Sequence, residues 1–81
     1  MTIEDTLNER KATHGDWSEQ SALAWTLKNQ IKAAPNYELL NVGQREALDM
    51  ICVKISRIVT GDSFEPDHWR DIEGYARLGG S

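Results

Sequence analysis

Residues 41–61 read NVGQREALDMICVKISRIVTG, and this stretch decides the fold. Asn41 followed three residues later by Gln44 forms a capping box, in which each side chain accepts a hydrogen bond from the other residue's backbone N–H. From Val42 to Thr60 the apolar residues Leu48, Ile51, Cys52, Ile55, Ile58 and Val59 recur at i, i+3, i+4 and i+7, the period of one helix face. Gly61 supplies the stop. At about 100° per residue, Met50 and Val53 fall away from that stripe, so the helix is apolar on a second face. Two apolar faces place it centrally or against another subunit.

Working outward, turn signals cut the rest of the chain into helical pieces. Before the central helix, Pro35-Asn36 ends a segment that begins near Trp17 and reaches about Ala33, with Leu23, Leu27 and Ile31 spaced by four. Proline disfavours helix in the residue before it and lacks a donor. That segment opens at His14-Gly15-Asp16, where Gly15 can take a left-handed backbone and Asp16 stands three residues before Glu19, a second capping pattern. A short first helix covers roughly Ile3 to Ala12. After the central helix, Pro66 suits the first turn of a fourth, which carries Trp69, Ile72 and Ala76 on one side. Nothing suggests a strand. The reading is an all-α fold, a compact bundle of about four helices in a single domain over residues 1–78, with residues 79–81 as a flexible tail.

The 81 residues are 40% hydrophobic with a net charge of -4, too apolar for a disordered chain. A chain this short buries only a modest core as a monomer, so an oligomer is expected. The acidic balance argues against duplex nucleic-acid binding, which needs an excess of Lys and Arg to displace counterions. A small phosphorylated ligand needs only a few local cations. The one cysteine, Cys52, has no partner for an internal disulfide, no apolar run approaches the ~20 residues that span a bilayer, and the opening residues lack a secretory pattern. These point to a reducing cytoplasm without membrane contact.

Several constellations could carry chemistry. Glu46 and Asp49, three apart, and Asp67 and Asp71, four apart, are acidic pairs on two helices; carboxylate oxygens suit hard cations, so together they could hold Mg²⁺ or Mn²⁺. Their other reading is solvated helix faces, with Asp67 and Asp71 placed in the first turns to suit the helix dipole. Lys54 and Arg57 could clamp a phosphate, the arginine by a forked pair of hydrogen bonds; otherwise they form a salt bridge to Asp67 or Asp71 or serve only solubility. His14 and His68, each beside an aspartate, match no zinc spacing. Trp17, Trp25, Trp69 and Tyr75 offer surfaces for stacking or for a core. Gly74 inside a helix costs ~1 kcal/mol relative to alanine, which suggests close helix approach or room for a ligand. No Ser-His-Asp order or glycine-rich phosphate loop is present; any enzyme here would be a metal-dependent nucleotide hydrolase.

Three blocks, Glu9-Arg10-Lys11-Ala12-Thr13-His14-Gly15-Asp16, then Gln44-Arg45-Glu46-Ala47-Leu48-Asp49-Met50-Ile51 with Lys54-Ile55-Ser56-Arg57-Ile58, then Asp67-His68-Trp69-Arg70-Asp71-Ile72-Glu73-Gly74-Tyr75-Ala76, resemble in order a family of small phage and prophage proteins of unassigned function. The resemblance implies an all-helical protein acting in the cytoplasm of an infected bacterium, and its signature positions map to His14, Asp16, Asp49, Lys54, Arg57, Asp67, His68, Trp69, Asp71 and Tyr75. The acidic pairs are also similar to those of MazG-like nucleotide pyrophosphohydrolases, whose metal site uses Glu-x-x-Glu followed by Glu-x-x-Asp. Glu46-x-x-Asp49 fits one half of that pattern; Asp67 and Asp71 depart from the other.

Two functional readings stand. In the first, a nucleotide-like ligand binds through His14, Asp16, Lys54, Arg57, His68, Trp69 and Tyr75, with Glu46, Asp49, Asp67 and Asp71 as metal ligands, in a homo-oligomer that sequesters a host defence signal or alters a nucleotide pool. In the second, the protein is an acidic counter-defence inhibitor, similar in kind to anti-CRISPR proteins, that covers a host protein through a face carrying Glu4, Asp5, Glu9 and Glu19 or Glu38.

Overall fold

A computed structural model describes residues 2–81; Met1, where the expected domain begins, lies outside them. The chain forms α1 (Ile3–His14), α2 (Trp17–Lys32), a 3-10 turn (Tyr37–Leu39), α3 (Val42–Thr60) and α4 (Pro66–Gly80), with no strand among the described residues. No helix there is long and apolar enough to cross a membrane.

Each boundary has a local cause. At the start of α3 the Asn41 side chain accepts from Gln44 N (2.8 Å) and Gln44 Oε1 accepts from Asn41 N (3.1 Å), so two of the four donors that a helix start leaves orphaned are satisfied. Thr2 and Asp5 make the same reciprocal pair at α1, a capping box that spacing also permits but that the apolar pattern does not draw attention to. Asp16 caps α2 by accepting from Glu19 N. The 3-10 turn is pinned by Arg45, whose guanidinium lies 4.9 Å from the centre of the Tyr37 ring and donates to the Glu38 carbonyl.

Two boundaries differ from expectation. α1 runs on to His14, because Gly15 and not Ala12 is the first residue able to break it. α4 continues through Gly79 and Gly80, which were expected in a tail. Gln44 Nε2 donates to the Gly79 carbonyl at 3.3 Å, and a Cβ on Gly79 would lie 3.3 Å from the Ala47 Cβ, so the end of α4 packs closely on the start of α3. Gly74, by contrast, faces open space. The close approach suggested at Gly74 occurs one and a half turns later.

The central helix is central in fact: α3 packs against α4 and against α2, and α1 touches α2 and α3. The interior is small and half polar. Ala24, Ala47, Cys52 and Ile58 are its buried apolar residues, joined by Gln20, Lys54, Ser56 and His68. Small side chains at these contacts let the helices approach closely. The fully buried Ser56 hydroxyl donates to the Val53 carbonyl at 2.6 Å and Thr60 Oγ1 to the Ser56 carbonyl at 2.7 Å, which satisfies both within the helix. The result is an elongated body, 45 × 23 × 20 Å.

Candidate functional site

The turn between α1 and α2 is built onto the end of α3. Gly15 has φ 87° and ψ 175°, a region that essentially only glycine enters, and it is buried against Thr60. The Thr13 and His14 carbonyls of the turn are both engaged. That of Thr13 accepts from Asp62 N (3.0 Å) and faces His68 Nε2 (3.0 Å); a carbonyl can only accept, so Nε2 of His68 carries the proton. The His14 carbonyl lies 3.3 Å from Thr60 Oγ1. Beneath it, buried Gln20 donates its amide nitrogen to the same carbonyl (3.3 Å) and accepts at its amide oxygen from Arg57 Nε (3.2 Å), the orientation that satisfies both partners.

This turn brings sequence-distant residues together. The His14 and His68 rings sit 5.3 Å apart, tilted by 46°. Burial, reinforced by the charges of Arg57, His68, Arg10 and Lys54, lowers the His14 pKa from 6.5 to about 4, so this imidazole is neutral at pH 7. Burial and Arg10 lower the Arg57 pKa, against an opposing pull from Asp71 and Tyr75. Positive groups are thus crowded together at this end of the molecule.

Between α1, α2 and α3 they border a cleft of about 320 Å³, whose walls include Arg10, Lys11, His14, Asp16, Trp17 and Arg57. Leu7, Arg10, Lys11 and His14 follow i, i+3, i+4 and i+7, so α1 turns one continuous face to the cleft. Arg57 reaches it from α3, its Nε held by Gln20. Lys11 approaches Asp16 at 3.9 Å, both side chains well exposed. Among the described residues neither Arg10 nor Arg57 has a carboxylate within 4.0 Å.

Of the residues expected to bind a ligand, the cleft therefore contains His14, Asp16 and Arg57. Lys54 is elsewhere. It is buried under α4 and bonded to Asp71 at 2.8 Å, and that bond is the first cause of the lowered Asp71 pKa. Lys54 and Arg57, read together as a phosphate clamp, are split: one has found the salt bridge, the other the cleft. His68 is buried beneath the turn. Trp69 spends its indole N–H on the Ser63 carbonyl at 2.8 Å and so fastens the loop before α4. Tyr75 lines a separate groove between α3 and α4, with Leu48 and Ile51.

The acidic quartet does not gather within this chain. α4 runs antiparallel to α3, so Ala47 meets Gly79 and Lys54 meets Asp71. Glu46 and Asp49 consequently sit toward the opposite end from Asp67, which pairs with Arg70 at 3.2 Å. Among the described residues no three of His, Cys, Asp and Glu come close enough to hold a metal ion. Arg10 and Lys11 are cleft residues that the motif reading passed over; their i, i+3, i+4 spacing to Leu7 and His14 was the available signal.

Compared with family models, characterised proteins and solved structures, the chain matches none. The case for function accordingly rests on the geometry of the cleft.

His14 predicts a pH dependence. His14 resists protonation in the folded state but not in the unfolded one, so its contribution is complete above pH 6.5 and is lost as the pH falls toward about 4. The Asp71 contribution fades only below its ordinary value of 3.8, outside that window. Urea denaturation should show stability falling between pH 6.5 and pH 4, with the slope flattened in His14→Gln. An unchanged slope in that variant would assign the effect to another group.

Proposed function

We propose that this protein binds a nucleotide-like, phosphate-bearing small molecule in the cleft between α1, α2 and α3, and acts by holding that ligand. The observation that carries this reading is the convergence of Arg10, Lys11 and Arg57 on one opening. Like charges crowded together raise the energy of the empty site, and an anion placed among them relieves that repulsion. A cleft of about 320 Å³ lies at the lower end of the range for small-molecule sites.

The rest of the wall favours a ligand with a flat apolar end. Leu7 and Trp17, both largely exposed, border the same cleft from α1 and α2. A base resting on the indole face would place its phosphates toward the cations, combining stacking with charge-assisted hydrogen bonds. Neutral His14 supplies one imidazole for polar contact. In the phage setting that the sequence resemblance implies, such binding would sequester a host signal or draw on a nucleotide pool in the bacterial cytoplasm, and the protein would act as a homo-oligomer.

A thermal-shift panel of nucleoside mono- and diphosphates and cyclic nucleotides, with and without Mg²⁺, tests this. A ligand at about 100 times its Kd adds about 2.7 kcal/mol, a rise in Tm of roughly 10–20 °C for a domain of this size. Inorganic phosphate and a free nucleoside, tested separately, report on the two ends of the cleft. No shift across the panel would overturn the reading and leave protein–protein inhibition as its successor.

A further inference from the structure

The molecule exposes more surface than a compact monomer of its mass does on average. A 9.2 kDa chain is expected to expose about 4,900 Å² when folded alone, whereas this one exposes 5863 Å². The excess, about 900 Å², is close to the roughly 800 Å² that each partner buries in a standard interface.

Among the exposed apolar side chains, two tryptophans share one helix face. Trp17 and Trp25 are 72% and 70% exposed, and together with Ser21 and Lys28 they follow i, i+4, i+8 and i+11 along one stripe of α2. Beside the stripe, half-buried Met50 and Val53 of α3 form the floor of an apolar groove of about 370 Å³. These two residues constitute the second apolar face of α3, and α2 covers it only in part. Tryptophan anchors are over-represented where interfaces concentrate their energy, and each buried indole removes roughly 150–250 Å² from water.

The stripe is also symmetric. Trp17 lies four residues before Ser21 and Trp25 four residues after it. We propose that the Trp17–Ser21–Trp25 face of α2, with Met50 and Val53, is the interface of a twofold homodimer. Two α2 helices cross antiparallel at Ser21, whose small side chain permits close approach. Trp17 of each copy then meets Trp25 of the other over the Met50–Val53 groove, the self-complementary arrangement that a twofold axis requires. Trp17 borders both the groove and the basic cleft; in the dimer one face of its indole packs in the interface and the other is left to the cleft, and the interface stands on area and symmetry whether or not a phosphate binds there.

Sedimentation equilibrium of the full chain should give twice 9.2 kDa. Trp25→Glu, a change at an exposed position outside the cleft, should leave the helical circular dichroism intact and weaken dimerisation by roughly 100-fold or more. Ser21→Cys should form an intermolecular disulfide on mild oxidation, since the twofold axis brings each copy of residue 21 to the other; buried Cys52 should not crosslink in the unaltered chain. A monomeric mass at every concentration would overturn the proposal. So would a dimer that persists in Trp25→Glu and in which Ser21→Cys fails to crosslink.

Discussion

Gly15→Ala is expected to cost at least about 3 kcal/mol of stability. Two terms contribute. The backbone conformation itself, with positive φ and extended ψ, costs a residue bearing a Cβ about 1–3 kcal/mol. The added methyl would also sit closer than 3.0 Å to the Thr60 carbonyl group and hydroxyl, and the last turn of α3 cannot yield without loosening what it holds. The turn would have to lift instead, drawing the Thr13 carbonyl from Asp62 and His68 and the His14 carbonyl from Thr60 and Gln20. In a domain of this size a loss of 3 kcal/mol lowers Tm by roughly 12–24 °C. Gly74→Ala is the control of opposite sign: it is helical, exposed and faces open space, so alanine should add about 0.5–1 kcal/mol. A Gly15→Ala protein within 1 kcal/mol of the parent in urea denaturation would show that the turn is not locked to α3.

That turn also marks the limit of what periodicity reveals. The central helix was legible to the residue, from Val42 to Thr60, because a capping box, a sustained apolar stripe and a terminal glycine all agree there. Pro66 and Gly15 were legible for the same reason: each has a backbone constraint that few positions accept. α1 was the least legible, since it buries no residue of its own and is held chiefly by contacts that its sequence does not announce. Its boundary at His14 follows from the docking of Gly15 on Thr60, a contact between residues 45 positions apart.

The candidate site divides along the same line. Spacing of three identified Lys54 and Arg57 as neighbours on one helix, but it contains no information on which helix will lie over each. α4 covers Lys54 and supplies Asp71, while α1 and α2 border Arg57. The acidic pairs fail to meet for a topological reason. Each has a sensible helical spacing, yet antiparallel packing sends Glu46 and Asp49 toward one end and Asp67 toward the other. Trp69 lies outside the cleft, where its N–H holds the Ser63 carbonyl. Of the two places open to Trp17 and Trp25, core or surface, both take the surface, because the interior of a single chain, built on Ala24, Ala47 and Cys52, is lined by small side chains.

The Arg10→Ala, Lys11→Ala double variant should remain within about 0.5 kcal/mol of parental stability and yet lose roughly 100-fold in affinity for the nucleotide that shifts Tm most. Both side chains are exposed, and the one ion pair they make, Lys11 to Asp16 at 3.9 Å, is of a kind contributing about 0–1 kcal/mol. A hydrogen bond to a charged phosphate contributes about 1.5–3 kcal/mol, so two removed from the cleft account for a loss of that size. Arg57→Lys should behave differently. It keeps the charge but cannot reproduce the fork, and it withdraws the Nε donor from Gln20, stranding a buried carbonyl at a cost of about 1–3 kcal/mol in stability. Titration calorimetry with urea denaturation on the same samples separates the two: binding falls without folding in the double variant, and both fall in Arg57→Lys. Raising the salt should weaken binding by the parent more than by the double variant, because part of the attraction acts across solvent within a Debye length of about 8 Å. If the double variant bound as tightly as the parent, Arg10 and Lys11 would be solvated charges on the outer face of α1, and Arg57 alone would be too little to make the cleft a phosphate site.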